Sequence, residues 1–290
     1  MPDKILVVDD EPDILNLAKM ILEGEGYEVA VASNGKEAVQ KAESQEPDLI
    51  LLDVVMPGRN GFEVCQALKA GTRTGLVPVV MFTALGRDVD RKLSAESGAD
   101  GHLVKPFTPE GLLAEVQKQL QKARLERFSK ALGLTHAQLR GRKVLLEFDP
   151  ATPYQRAVRD FVFEARAHGE SVLVLTPKAS VVRHALQGED GVEFVALTHQ
   201  VIFTTILTPY EGKPLALVFD NLTDLVFYMG FQPAYNFTRG TLEKLAEQSI
   251  TALFLFSPNA HPPSETYTVR NLFSEQVTYG AGGLIKVKLT

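Results

Sequence analysis

Cysteine is nearly absent from this 290-residue chain: Cys65 stands alone, which excludes an internal disulfide framework and any metal site built from several thiolates. Long apolar stretches are missing too. No apolar run exceeds five residues, far short of the roughly 20 that a membrane-spanning helix needs. The opening MPDKILVVDD holds too short an apolar segment for a signal peptide. These shortages lead to the expectation of a cytoplasmic protein with no membrane partner. What the chain does have is 45% apolar residues in a length that suits two domains of ordinary size.

The formal charge of −6 is unevenly spread. Residues 1–117 hold 11 Lys/Arg against 20 Asp/Glu, 118–143 hold 8 against one, and 144–290 hold 11 against 15. Two acidic bodies joined by a basic segment is the organisation this pattern suggests.

In the first 120 residues short apolar runs alternate with helical patterns. The runs are Ile5–Val8, Val29–Ala32, Leu49–Leu52, Val79–Phe82 and His102–Val104. Helical spacing covers Pro12–Glu23, Gly35–Ser44, Gly61–Ala70, Asp88–Ser97 and a stretch from Pro109 onward. Five strands alternating with five helices read as a doubly wound parallel sheet over residues 1–121. The last helix has no obvious stop before Gly133, because Leu112, Val116, Leu120, Ala123, Phe128 and Leu132 continue its periodicity. A basic helical linker over 122–141 is therefore expected, with a short turn at Thr135–Leu139.

Residues 142–290 repeat the α/β rhythm. Apolar runs lie at Val144–Phe148, Val172–Thr176, Val192–Leu197, Leu215–Phe219 and Ala252–Phe256. Helices are expected at Pro153–His168, Ala179–Leu186, Gln232–Gln248 and Ser264–Phe273, and a C-terminal hairpin around Gly280–Gly283. Periodicity does not decide His199–Leu207.

The polar residues at the strand ends of the first domain carry its chemistry. Asp9 and Asp10 follow the first run, Asp53 ends the third, Thr83 the fourth, and Lys105 the fifth. In an open parallel sheet ligands bind outside the carboxyl ends of the strands, so the fold gathers all five. Three clustered carboxylates repel one another unless a cation joins them. Oxygen ligands with few protein contacts suit Mg²⁺. One carboxylate can then act as a nucleophile toward a phosphoryl group, with Lys105 and the Thr83 hydroxyl binding its oxygens. An acidic pair after a strand often only caps a helix. Five matching positions, each at a strand end, make that reading the weaker one.

The stretches ILVVDDEPDI, LILLDVVMPGRNGFEV, VVMFTA and GADGHLVKPF resemble the receiver domain of two-component response regulators over residues 1–121. The resemblance implies that Asp53 accepts phosphate from a histidine kinase or phosphotransfer protein. It also implies that Asp10, Asp53 and the backbone carbonyl of Val55 hold Mg²⁺, with Asp9 helping through water. Thr83 and Lys105 would contact the phosphoryl group, and the Lys105–Pro106 bond would be cis. The family usually places Tyr or Phe three residues before this lysine as a rotamer switch, and here that position is His102. Val55 and Leu85, two residues beyond Asp53 and Thr83, are apolar and cannot orient an attacking water. Slow self-dephosphorylation is the expected consequence.

The second domain turns on an absence. After Val144–Phe148 the turn reads DPATPYQ, with no glycine and no lysine. A phosphate-cradling loop needs both. Pro150 and Pro153 remove two N–H donors and Asp149 adds negative charge. Later, LALVFDNLTDL carries an apolar strand into Asp220, the pattern of a Walker B segment. In their order, DPATPYQR, SVLVLTPKAS, LALVFDNLTDL and VRNLFSEQVTY resemble the RecA-like fold, nearest the branch of the circadian-clock ATPase KaiC, without its P-loop. Asp220 reads as a helix N-cap more than as a metal ligand. The aromatic stretch Phe227–Phe237 reads as core and loop packing, or as a partner surface.

Three functions compete. One is a regulator whose output is protein–protein interaction or self-assembly through a degenerate RecA-like domain, with an unspecified output partner. The second is a phosphorylation-controlled, nucleotide-binding ATPase. The third is a transcription factor using the basic segment. The first is preferred: no enzyme activity beyond phosphoryl acceptance and slow self-dephosphorylation, and no nucleic-acid partner, since no recognition helix is identifiable.

Overall fold

A computed structural model describes residues 2–57, 60–83, 96–197, 203–246, 250–280 and 283–288. The chain forms two compact units, Met1–Ala123 and Arg124–Thr290.

In the first unit the apolar runs become β1 (Lys4–Val8), β2 (Glu28–Ala32), β3 (Leu49–Asp53), β4 (Val79–Thr83) and β5 (Gly101–Val104). They lie in the order β2-β1-β3-β4-β5, and every neighbouring pair is parallel. The side chains of β1, β3 and β4 alternate between two buried faces. Leu6, Val8, Ile50 and Leu52 pack against α2 (Gly35–Gln45) and α3 (Gly61–Ala70). Ile5, Val7, Leu49, Leu51 and Phe82 pack against α1 (Pro12–Gly24) and α4 (Pro109–Arg124). Burial on both faces explains why the strands read as continuous apolar runs. Most of the helix expected over Asp88–Ser97, and Leu85, lie outside the described residues.

One close approach fixes the geometry beside β3. A Cβ on Gly61, the first residue of α3, would lie 2.1 Å from the Asp53 carbonyl oxygen and 2.8 Å from Val54 Cα. The Gly61 N–H donates to the Val54 carbonyl at 2.9 Å. The helix start is thus pressed against the strand end that carries Asp53, and only glycine fits there.

The second unit holds β6 (Lys143–Phe148), β7 (Ser171–Thr176), β8 (Val192–Ala196), β9 (Leu215–Phe219), β10 (Ile250–Phe256), β11 (Glu275–Gly280) and β12 (Gly283–Lys288). Their order is β12-β11-β6-β10-β9-β7-β8, parallel except for the β11–β12 hairpin. The helices are α5 (Arg127–Ala131), α6 (His136–Leu139), α7 (Gln155–Ala167), α8 (Val181–Leu186), α9 (Phe203–Leu207), α10 (Leu222–Met229), α11 (Phe231–Ala246) and α12 (Pro263–Arg270). One sheet face packs on α5 to α8, through residues such as Phe128, Leu139, Phe161 and Leu186. The other packs on α10 to α12, through Leu225, Ala234, Leu245 and Val269.

Two expectations need correction. The 122–141 stretch is not a continuous helical linker. The helix ends at Arg124, and two short helices follow; Phe128 and Leu139 within them, and Leu132 just after the first, are buried in the core of the second unit. The periodicity that suggested prolongation was real, but those apolar residues serve a different core. The aromatic stretch after β9 is expected as core and loop packing; the core part holds, and helix replaces the loop part. It falls on α10 and α11, with Phe231 and Phe237 packed against the core while Phe227 and Tyr228 are exposed. Within the undecided 199–207 stretch, α9 is helical and 199–202 lie outside the described residues.

Two substitutions check this architecture by chemical denaturation. Gly61→Ala should cost the first unit about 1–3 kcal/mol through forced backbone displacement. Phe128→Ala should cost the second unit about 3–5 kcal/mol, as a core aromatic does, where a linker residue would cost almost nothing.

Candidate functional site

Because β1, β3, β4 and β5 are parallel neighbours, their carboxyl ends share one edge of the sheet. Asp9 follows β1 and is fully buried; Asp53 ends β3 and Thr83 ends β4, both buried; Asp10 is exposed. Lys105 follows β5, and its backbone N–H donates to the Thr83 carbonyl at 2.7 Å, tying the two strand ends together. The Lys105 Nζ reaches Asp9 Oδ2 at 2.6 Å and Asp53 Oδ1 at 2.8 Å. Carboxylate oxygens of Asp9, Asp10 and Asp53 all lie within 4.8 Å of one another. The Lys105–Pro106 bond is cis.

Local hydrogen bonds aim these groups. The Glu11 N–H donates to Asp9 Oδ1 at 3.0 Å, and the Val55 N–H donates to Asp53 Oδ2 at 3.2 Å. Burial pushes the Asp53 carboxyl above the usual range; the Lys105 hydrogen bond opposes this, and the charges of Asp9 and Asp10 add to it. Burial also works against the charge on Lys105, but its bonds to Asp53 and Asp9 outweigh it and push the ammonium up. One cation among three acids leaves negative charge in excess. That donor set fits a hard divalent ion such as Mg²⁺. His102 lies exposed on β5, and Val55 is exposed beside Asp53.

The carboxyl ends of the second sheet look different. Asp220, after β9, is buried, and its Oδ2 accepts from the Thr176 hydroxyl at 2.7 Å and from the Ser180 hydroxyl. Burial pushes this carboxyl up, against the two hydroxyl bonds. Asp220 therefore does not cap the next helix, as its position in the sequence suggested. Asn221 does, accepting from the Asp224 N–H at 2.8 Å. In the turn after β6, Asp149 Oδ1 accepts from the Ala151 N–H at 2.9 Å, and its carbonyl accepts from the Thr152 N–H and hydroxyl. These donors are turned inward on the loop itself. Tyr154 stacks on Phe148 at 3.8 Å, and burial, with Asp220 and Asp224, pushes its hydroxyl up.

At least half of the eight cations at 118–143 form ion pairs. Arg127 meets Asp160 at 3.4 Å, Lys130 meets Glu126 at 3.2 Å, Arg140 meets Glu170 at 3.0 Å, and Arg142 meets Glu275 at 2.6 Å. Arg124 lies over the Phe163 ring at 4.5 Å. Sequence reasoning passed over Glu164, His136 and Glu170, three buried polar residues that form a cluster. A signal existed: Glu164 lies among the apolar positions Phe161, Val162 and Ala165 of α7, where a carboxylate needs a partner. No helix among the described residues is long and apolar enough to cross a membrane.

Comparison with known proteins bears on the first unit. The family model for the response regulator receiver domain matches residues 5–117. The DNA-binding response regulator MtrA of Mycolicibacterium smegmatis is 43% identical over 122 residues, covering 42% of this chain and 52% of that protein. The alkaline phosphatase synthesis transcriptional regulatory protein PhoP of Bacillus subtilis is 43% identical over 125 residues, covering 43% of this chain and 51% of that protein. Among solved structures, the chemotaxis protein CheY4 of Vibrio cholerae aligns at 36% identity, covering 41% of this chain and 99% of that one, with a TM-score of 0.40. The chain spans about half the length of the curated relatives it matches. With the family match laid over the parallel sheet and its acidic edge, the first unit of this chain is a two-component response regulator receiver domain.

Proposed function

We propose that the chain is a response regulator that takes a phosphoryl group on Asp53 from a histidine kinase or phosphotransfer protein. One observation carries the reading: Asp9, Asp10 and Asp53 converge within 4.8 Å, with Lys105 bonded to two of them. An Asp53 carboxylate oxygen attacks the phosphorus while the bond to the donor nitrogen breaks and the donor histidine leaves with that electron pair. Bound among Asp9, Asp10, Asp53 and the Val55 carbonyl, Mg²⁺ would offset the negative charge that otherwise opposes phosphate on carboxylate. Lys105 then meets a phosphoryl oxygen, and the Thr83 hydroxyl donates to another. His102, exposed on β5, stands where a switch side chain would register that change. Val55 offers no group to hold an attacking water, which favours slow hydrolysis.

For the second unit we favour a RecA-like, non-hydrolysing output domain that acts through a protein partner or self-assembly. Its support is the parallel sheet with a C-terminal hairpin, together with strand-end polar groups that bond to one another. The Asp149 turn consumes its own donors, Asp220 is occupied by Thr176 and Ser180, and Tyr154 packs against Phe148. These features count against an ATPase. MtrA and PhoP are named as DNA-binding or transcriptional regulators, which keeps a DNA-binding output as the second reading. The internal pairing of the basic segment disfavours it here.

With acetyl phosphate and Mg²⁺, intact-mass measurement should find one added phosphoryl group on the wild type and none on Asp53→Asn. The adduct should outlast a scale of seconds; rapid loss would refute the account of Val55. Light scattering on the phosphorylated chain should register a change in assembly, or a pull-down a change in captured partner; if neither moves, the output reading fails while the acceptor reading stands. Calorimetry with Mg-ATP on the full chain should give no binding heat, and measurable ATP turnover would restore the enzyme reading.

A further inference from the structure

The second unit contains a charge cluster that the proposed function does not use. His136, in α6, is buried, and each of its ring nitrogens meets a carboxylate. Nδ1 lies 3.0 Å from Glu164 Oε1, and Nε2 lies 3.2 Å from Glu170 Oε1. Both carboxylates are buried. The remaining Glu164 oxygen accepts from the Ser129 N–H at 2.9 Å, so one carboxylate holds both α5 and α6. Arg140 reaches the same Glu170 oxygen at 3.0 Å, and Glu170 Oε2 is buried without a hydrogen-bond partner. The His168 ring stacks on His136, with centroids 3.7 Å apart and planes 2° from parallel. Its Nε2 meets the Leu125 carbonyl at 2.7 Å.

The proton inventory follows from these contacts. An ionised carboxylate only accepts hydrogen bonds, and a neutral imidazole has one donor and one acceptor nitrogen. A ring that meets an ionised carboxylate on both sides donates from both nitrogens, which makes it an imidazolium. The charged groups facing it are Glu164 from α7, Glu170 from the turn before β7, and Arg140 after α6; His168 faces it from the end of α7. Two carboxylates against Arg140 and one imidazolium balance. His168 needs only the single proton that it gives to Leu125, which avoids stacking two positive rings.

We propose that His136 is a proton-dependent clasp: its doubly protonated ring pins residues 125–140 to α7 and the start of β7, and loss of one ring proton releases that stretch. Deprotonation removes one charge-assisted hydrogen bond and leaves a buried carboxylate facing a lone pair. The hold is therefore present at lower pH and is lost as pH rises past the point where the ring gives up its second proton. The affected stretch begins where the receiver's last helix ends, at Arg124.

The full chain labelled with ¹⁵N-histidine tests this. Two-bond ¹H–¹⁵N spectra at neutral pH should find both His136 nitrogens protonated, and a single neutral tautomer there would overturn the proposal. As pH is raised until one proton leaves, amide-exchange protection over 125–140, corrected for intrinsic rates, should fall at least about tenfold relative to β9 and β10. Unchanged protection would overturn the proposal as well. In Glu170→Gln, which keeps the shape and removes one anion, the second proton should leave at lower pH; an unmoved transition refutes the clasp. His136→Gln should abolish the pH dependence of protection, and if that variant does not fold, the Glu170→Gln result decides.

Discussion

The structure of the receiver depends on holding several carboxylates at one place where the backbone offers them no escape. Parallel pairing of β1, β3, β4 and β5 brings four strand ends to one edge, and the close fit of Gly61 against Asp53 and Val54 removes slack from the end of β3. Uncompensated buried charge costs several kcal/mol per ion. Lys105 supplies the compensation by bonding Asp9 and Asp53 together, yet one ammonium does not match three acids. That residual imbalance separates this edge from a closed structural ion pair: negative charge is left over for a further cation to offset.

The second unit has the same topological opportunity and uses it differently. Its parallel strands also end together, and Asp220 lies at such an end, as Asp53 does. But the Asp220 oxygen is taken up by Thr176 and Ser180, and the turn after β6 spends its N–H groups on Asp149. Position at the carboxyl end of a sheet is therefore not enough to define a site. Whether the polar groups there remain unsatisfied decides what the edge can do.

Much of this was legible in the sequence because strands buried on both faces announce themselves as apolar runs. All twelve strands among the described residues fall where runs or the terminal hairpin were expected, and the five strand-end residues of the receiver were named from position alone. The boundary between units was harder. Leu112 to Leu132 keep one helical period across two different cores, and periodicity reports that a residue is buried without saying against what. Asp220 was misassigned for a related reason. Asn221 beside it is an equally good cap, and only the distance to Thr176, 44 positions earlier, decides between them.

The basic segment illustrates how a net charge can mislead. Eight cations against one acid over 118–143 suggest an electrostatic surface when the segment is read alone. In three dimensions Asp160, Glu170 and Glu275 of the following domain pair with Arg127, Arg140 and Arg142, and the last two carboxylates are buried. Removing Arg140 or Arg142 leaves a buried carboxylate with less compensation, at a cost that the solvent exposure of the arginines reduces below that of a fully buried pair. The segment and the domain are therefore bound to each other electrostatically as well as through Phe128, Leu132 and Leu139. Charge balance, hydrophobic burial and the end of α4 at Arg124 all put the start of the second domain some twenty residues earlier than its first strand.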